Sequence, residues 1–432
     1  MIAARQTRAD VLVIGAGIMG CATAYHLARR GVAVRVLERG VIGSEQSSRA
    51  WGFVRQQGRH PAEVPLAAAA LALWPALSLE LGADVEFVQS GILVPAESAA
   101  DEARLASAER VAREHGVDSR IVDAADIERL VPGAARHWRT GLYTPGDGHA
   151  EPAAATRAFA AAARRLGVDI VERAPVHGFE VEGRRIGGVA SGDTLHHADT
   201  IVCAAGIGSA DLCRTLGVSL PIQIVRASVA QTRATAAPAF ETAVWSPRVA
   251  FRPRRDGTFY VSNGYNGTDA EHDITLDSLR HLRHFFPAFL ANRDVVKLRL
   301  GPEFLTDLVR RLQPGARFQP LDAPRVASAL VRHHERCFYE VFPHLAGLGL
   351  ARTWAGRIDA TPDLIPIVGT PAGAPINLVV AAGFNGHGFA LAPIVGKLLA
   401  EIVTGGRVSL DLRRFRPGRF AEGDAKPGVN AL

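Results

Sequence analysis

DVLVIGAGIMGCATAYHLARRGVAVRVLE, residues 10–38, is the stretch from which the fold is read. It opens with an apolar run at 11–14 that stops at glycine, the way a buried parallel strand ends. Gly15, Gly17 and Gly20 follow in GxGxxG spacing, with Ile18 and Met19 inside the same turn. Gly15 permits a tight turn, Gly17 leaves room for a pyrophosphate against bare backbone, and Gly20 lets helix and strand approach. Ala22, Ala24, Tyr25 and Leu27 continue on a helix whose first N–H groups face the phosphates. A second, mostly apolar run at 32–37 ends in Glu38, with Arg39 beside it. That carboxylate, about 20 residues past the glycines, is placed for an adenosine ribose. A bare GxGxxG says little, but the same glycines between two strands and closed by an acid specify a dinucleotide site.

The whole chain sets the bounds around that site. Its 432 residues suffice for two or three domains, and 48% hydrophobic with 21% charged residues describes an ordinary globular protein. The net charge of +6 is spread along the chain, without a basic block interleaved with aromatics, which argues against nucleic acid. Cys21, Cys203, Cys213 and Cys337 have neither CxxC spacing nor the density of a disulfide scaffold. A reducing compartment follows, with Cys21 as a small packing residue. The first ten residues carry no apolar signal core, and no uninterrupted apolar run reaches about 18 residues. A cytoplasmic location without a transmembrane segment is expected.

Beyond residue 40 comes a polar loop, GSEQSSRAWGFVRQQGRH at 43–60, with Ser47, Ser48, Arg49, Trp51 and Phe53 inside it. It either lines the site or is a solvated connection. Residues 62–79 read as an alanine-rich helix kinked at Pro75, with Trp74 as a core anchor. Strand and turn around Gly91 precede an exposed helix at 99–114. A helix with Pro152 in its first turn ends at Gly167, and His149 before it reads as a solvated loop histidine. Short strands at 168–189 lead to a strand at 201–204 that runs into Ala205 and Gly206, a second backbone turn toward the dinucleotide. Alternating residues at 220–261 predict an antiparallel sheet, and helices are expected near 276–286 and 323–341. His333 and His334 are adjacent, so they cannot share a helix face as metal ligands, and no metal is assigned. A strand at 377–382, the turn GFNGHG and a helix at 391–403 return the chain to its first pattern.

Three glycine turns thus follow apolar strands, as where one long ligand lies across the carboxyl ends of a parallel sheet. VIGAGIMG at 13–20, IVCAAG at 201–206, TPDLIPIVG at 361–369 and VVAAGFNGHGFALAP at 379–393 stand in that order. In this the chain resembles, over essentially its whole length, the FAD-dependent amine oxidoreductases, a family that includes the D-amino-acid, glycine and sarcosine oxidases. Through VPLA at 64–67 and GFNGHGF it is most similar to the sarcosine oxidase branch. The resemblance implies FAD and an α/β fold: a Rossmann-like FAD-binding domain and an α+β substrate domain built on an antiparallel sheet. The FAD-binding domain would be discontinuous, at 1–83, 145–218 and 346–432, with the substrate domain at 84–144 and 219–345. The reaction implied is oxidation of the C–N bond of an amino acid or secondary amine carrying a carboxylate to an imine, by hydride transfer to flavin.

Carried over residue by residue, the resemblance makes Glu38 the ribose acid and Val176 the strand residue flanking adenine. Gly383, Phe384, Asn385, Gly386, His387 and Gly388 form the turn closing over the flavin. Arg55, in FVR, stands one residue from the family's carboxylate-gripping arginine. That arginine's lysine partner is replaced by Ala390, and the cysteine that tethers flavin by Gly356, so FAD held without a covalent bond is expected. A second family arginine, before TPD, is Ile358 here, and Arg357 beside it would face the other way on a strand. Arg55 and then Arg357 are the candidates for the substrate carboxylate. Tyr265 faces the substrate or is an ordinary strand tyrosine, and His387 serves through its backbone more readily than as a base. Ser262 and Asn266 replace a lysine and a histidine that support oxygen reduction, which weakens the case for an efficient oxidase. Trp51 and Trp354 either wall the pocket or belong to the core. Three alternatives stand beside this reading: a flavin-bearing subunit of a heteromeric complex, a binding protein without turnover, and an NAD-linked dehydrogenase. The C-terminal return to the first domain argues against the last. Oxygen, a quinone or a protein could each take the electrons.

Overall fold

The computed structural model describes residues 5–135, 138–236, 240–266, 271–293, 296–313 and 315–428. In its first sheet the strand Arg5–Ile14 is central. Val34–Leu37 and Asp169–Val171 lie on one side of it, and Thr194–Cys203, Leu378–Ala382 and Ile367–Gly369 on the other. Ile14 is level with Leu37 and with Cys203, so three parallel strands end together under one crevice. Val11, Leu12, Val13 and Ile14 are buried because both faces are covered. The helices Ile18–Ala28, Pro152–Arg165 and Gly388–Val403 pack on one face, and the ribbon Val176–Glu182 with Arg185–Ser191 lies on the other. The central strand is longer than its apolar run predicts, since polar residues from Arg5 onward pair with the strand that starts at Thr194.

The second sheet contains Ile92–Pro95, Arg120–Asp123, Thr140–Thr144, Gln223–Thr232, Ala243–Trp245, Val249–Pro253, Phe259–Asn263 and Glu271–Asp273. Leu298–Arg299 and Leu350–Ala360 complete it. Its ladders are antiparallel except where Ala243–Trp245 meets Ile92–Pro95 and where Glu271–Asp273 meets Leu298–Arg299. The helix Ser328–Val341 covers it through Phe338 and Val341, packed with Phe251 and Phe259. Leu350–Ala360 pairs along Gln223–Thr232, so the chain rejoins the first sheet after Ala360 rather than at residue 346.

Helix boundaries depart from expectation at several places, and among the described residues only Leu276–Arg280 is set by a capping box, at Thr275 and Ser278. The run at 62–79 is Val64–Leu71, a tight turn Trp74–Ala76 and Leu77–Leu81, interrupted at Pro75. The window Val64–Leu81 is long and apolar enough to cross a membrane, but Leu66, Ala70 and Trp74 belong to the core. Trp74 Nε1 donates to Ala390 O at 2.9 Å. The helix expected near 276–286 is two, Leu276–Arg280 and Leu282–Ala291, an unexpected helix Pro302–Leu312 follows, and the one expected from residue 323 begins at Ser328. The last helix, Gly388–Val403, starts three residues before Leu391, so the glycine turn runs straight into its first turn.

The two sheets are clamped beside the crevice. Buried Arg252 donates to Trp51 O at 2.5 Å and to Glu151 Oε1 at 2.7 Å, and Arg254 reaches the same carboxylate at 2.9 Å. Gly52, at φ +89°, makes this approach possible, because a Cβ there would stand 2.2 Å from Ala150 O.

Candidate active site

A cavity of about 460 Å³ lies between the carboxyl ends of the first sheet and the face of the second. Gly15, Gly17, Ile18 and Met19 line it, whereas Gly20 sits behind, where an added Cβ would come within 1.9 Å of Gly15 O. Ile18 N donates to Ser47 Oγ at 2.9 Å. Glu38 also faces the cavity, accepting from Ala16 N and Gly40 N at 2.7 Å each. Burial raises its carboxyl above the usual range, against those two hydrogen bonds. Arg39 and Arg49 contribute to the lining, the former held by Glu45 at 2.5 Å. Ser48 does not line the cavity; its side chain is exposed to solvent.

The second and third glycine turns meet the same space. Val176, Ala205 and Gly206 line it, as do Phe384, Asn385, Gly386, His387 and Gly388. Gly383 stands behind them at φ +66° and donates its N–H to Asp359 Oδ2 at 2.7 Å. Gln46 joins the turns: its Nε2 donates to Asp359 Oδ1 at 2.9 Å while its Oε1 accepts from Ile207 N at 3.1 Å. Burial raises the Asp359 carboxyl, and the bonds from Gln46 and Gly383 act against it. Neither Gln46 nor Asp359 falls in a motif, so nothing in the sequence singled them out.

Across the cavity stands a buried polar cluster. His387 opens the last helix, and its Nδ1 lies 2.9 Å from Glu63 Oε1. Glu63 is 0% exposed. Burial alone would raise its carboxyl, but His387 and Arg59 outweigh it and hold the group below the usual carboxylate range. Burial, with Arg59 beside it, lowers His387 to about 4. The imidazole is therefore neutral at pH 7, donating from Nδ1 and keeping Nε2 as an acceptor in the cavity that it lines. Arg59 donates from Nε to Arg55 O at 3.1 Å and stands 3.5 Å from Glu63.

Arg55 is 9% exposed, with Nη1 donating to Gln57 O at 2.5 Å and the guanidinium 4.4 Å from the Trp245 ring centroid. Among the described residues no acidic side chain forms an ion pair with it. Burial and Arg59 lower it to about 9, so it remains a cation at neutral pH. Asp147 shapes the loop below, accepting from Gln56 N at 2.8 Å and Gln57 N at 3.2 Å, and burial raises it to about 7. Around Arg55 stand Trp51, Phe53, Trp245 and Tyr265, with Trp245 edge-on to Trp51 at 6.5 Å and to Tyr265 at 6.1 Å. Trp245 carried no motif and was missed. Tyr265 offers its ring, because its hydroxyl donates to Pro95 O at 2.9 Å.

Other candidates fall elsewhere. Arg357 lies along the cavity, yet it pairs in register with Arg226, while its neighbour Ile358 pairs with the lining residue Val225. Its Nη1 donates to Asp322 O at 2.8 Å. Trp354 is not on the lining; its Nε1 donates to Arg49 O at 3.2 Å and its ring packs on Tyr260. His149 is not a solvated loop residue: it is buried in the bridge between Phe53–Val54 and Gly148–His149, with Nε2 3.1 Å from Glu241 O. No group of three or more His, Cys, Asp or Glu suited to a metal occurs among the described residues.

The site fits a dinucleotide on its own geometry. Bare backbone at Gly15 and Gly17, an acid at the end of the second strand and two helix N-termini facing one cavity are what a pyrophosphate and a ribose require. Fold and site together define a dinucleotide-dependent oxidoreductase of the two-sheet kind. Residues 10–402 match the model of the DAO family, FAD dependent oxidoreductases, and the chain belongs to that family. It is 28% identical over 420 residues to the 4-methylaminobutanoate oxidase (formaldehyde-forming) of Paenarthrobacter nicotinovorans, covering 96% of this chain but only 46% of that longer protein. It is 26% identical over 420 residues to the glycine oxidase of Bacillus licheniformis, covering 94% of this chain and 95% of that one. Among solved structures, the L-amino acid deaminase of Proteus myxofaciens superposes with a TM-score of 0.87 at 23% identity, over 96% of this chain and 94% of that one, a likeness of fold.

Proposed function

We propose that this chain oxidises the C–N bond of an amino acid or secondary amine bearing a carboxylate to an imine, which then hydrolyses. The observation that carries this reading is Arg55, a buried cation stacked on Trp245 and without an acidic partner, in a cavity built for a dinucleotide. FAD, when bound, supplies the acceptor for the hydride that leaves the substrate carbon. Arg55 holds the carboxylate through the N–H groups not given to Gln57, in the fork geometry that suits two oxygens. Trp51, Phe53, Trp245 and Tyr265 exclude water and fix the C–H in place. The neutral His387 imidazole, its tautomer set by Glu63, offers the amine a hydrogen-bond acceptor.

Non-covalent FAD is part of this proposal. Cys21, Cys203, Cys213 and Cys337 are all buried away from the lining, and Gly356 occupies the place of the tethering cysteine. Denaturation with acid should therefore release all of the flavin into the supernatant. Flavin retained on the precipitated chain would overturn that part. A subunit dependent on partners is the less favoured reading, because the glycine turns, Arg55 and its aromatic wall all line one cavity of this chain. The reading is tested by reducing the purified flavoprotein anaerobically with carboxylate amines and with the same amines lacking the carboxylate. Reduction by the first set only is expected.

A further inference from the structure

Nine large apolar side chains between residues 279 and 312 stand 48–74% exposed, while the six others so exposed are scattered from Val41 to Ile376. Helix Leu282–Ala291 shows solvent a stripe of Leu282, Phe286 and Leu290, and helix Pro302–Leu312 a stripe of Leu305, Val309 and Leu312. Both have helical spacing and nothing described covers them. The helix of the second stripe is tied to the short helix Leu276–Arg280 that precedes the first. Leu276 N donates to Asp307 Oδ2 at 3.0 Å, Arg311 pairs with Asp277 at 2.6 Å, and the strand between the helices, Leu298–Arg299, is hydrogen-bonded to the edge of the second sheet. Together they present on the order of several hundred Å² of apolar surface, the size that marks an interaction face.

The charges of the segment 276–313 say what the face meets. Its acids turn inward: Asp277 and Asp307 are engaged by Arg311, and Glu303 lies 3.8 Å from Arg357. Every exposed charged side chain among the described residues of 276–313 is basic: Arg283, Arg293 and Lys297, with Arg280 and Arg299 paired to Asp277 and Glu271. An apolar stripe whose exposed charges, among the described residues, are cations is the pattern of a helix lying in a bilayer interface and drawn there by anionic headgroups. A second copy would instead bring two basic faces together.

We propose that this segment docks on an anionic membrane surface. Val296, between the two helices, lines the cavity, so docking would set the cavity rim at headgroup level. The inference is independent of the substrate.

The test is co-sedimentation of the full-length holoprotein with vesicles of phosphatidylcholine alone or containing one third phosphatidylglycerol, at low and high salt. Binding to the anionic vesicles at low salt, at least tenfold tighter than to the neutral ones, is expected. Phe286→Asp combined with Leu305→Asp should weaken it at least tenfold while leaving flavin content unchanged and the cooperative melt intact, since both side chains are at least half exposed. Arg283→Glu with Lys297→Glu should remove the preference for anionic lipid. Failure of the intact protein to bind either vesicle would overturn the proposal. So would equal binding by the apolar variants, or a dimer in light scattering that the Phe286→Asp variant separates, which would make the face a contact between copies.

Discussion

Arg55 and Glu63 are both buried on the same short segment of chain. Arg55 keeps donors for a ligand because no acid claims it, and Arg59 beside it keeps its charge because Glu63 does. Arg55→Ala should therefore raise the apparent KM for carboxylate substrates roughly 10- to 100-fold, the scale of a lost charge-assisted hydrogen bond pair, with unchanged flavin content. Steady-state kinetics beside an absorbance ratio checks this, and an unchanged KM would remove Arg55 from the substrate site. Glu63→Ala should behave otherwise, leaving Arg59 buried and unpaired and destabilising the fold by about 3–5 kcal/mol in chemical denaturation. Of these residues only Arg55 and His387 were legible in the sequence, through the motifs around them. Glu63, Asp359 and Trp245 were not, because their roles come from tertiary neighbours, His387 for Glu63, Gly383 for Asp359 and Arg55 for Trp245, and Arg59, paired with Glu63 four positions on, stands in no motif.

Whole elements were more legible than their edges. The strand, glycine turn, helix and second strand of residues 10–38 stand where the spacing puts them, because a buried parallel strand and a phosphate turn are both local signals. The polar start of the first strand was invisible, since its partner lies near residue 194. The membership of Leu350–Ala360 in the second sheet was equally hidden, because its ladder is made with Gln223–Thr232. Two predictions belong at this level. Gly15→Ala should yield colourless protein, since Gly15 is at φ +103° and a Cβ would stand 2.5 Å from Ala204 O, closing the turn that meets the cofactor. Arg252→Met should loosen the clamp and lower stability by about 1–3 kcal/mol in denaturant unfolding, the cost of the hydrogen bonds lost at Trp51 O and Glu151, whose carboxylate keeps Arg254.

The molecule as a whole holds several histidines neutral. Burial lowers His26 to about 4, His149 to about 3 and His387 to about 4. A base whose folded pKa is depressed contributes its full stability above its unfolded value, near 6.5, and loses it as pH falls toward the folded value. Asp147, raised to about 7, runs the other way: its contribution is complete below about 4 and declines as pH rises to 7. The three histidines pull stability down between pH 6.5 and 4 against the raised carboxyls of Asp147, Glu38 and Asp359, so His149→Gln should remove about 1.4 kcal/mol per pH unit of the histidine slope in denaturant unfolding. The account as a whole stands or falls on one measurement, the anaerobic absorption spectrum of the purified protein as N-methyl, cyclic and D- or L-amino acids are added in turn. Bound FAD whose band is bleached by at least one carboxylate amine, and much less by its decarboxylated counterpart, is the result predicted. A protein that shows no flavin band even after FAD is added would contradict it.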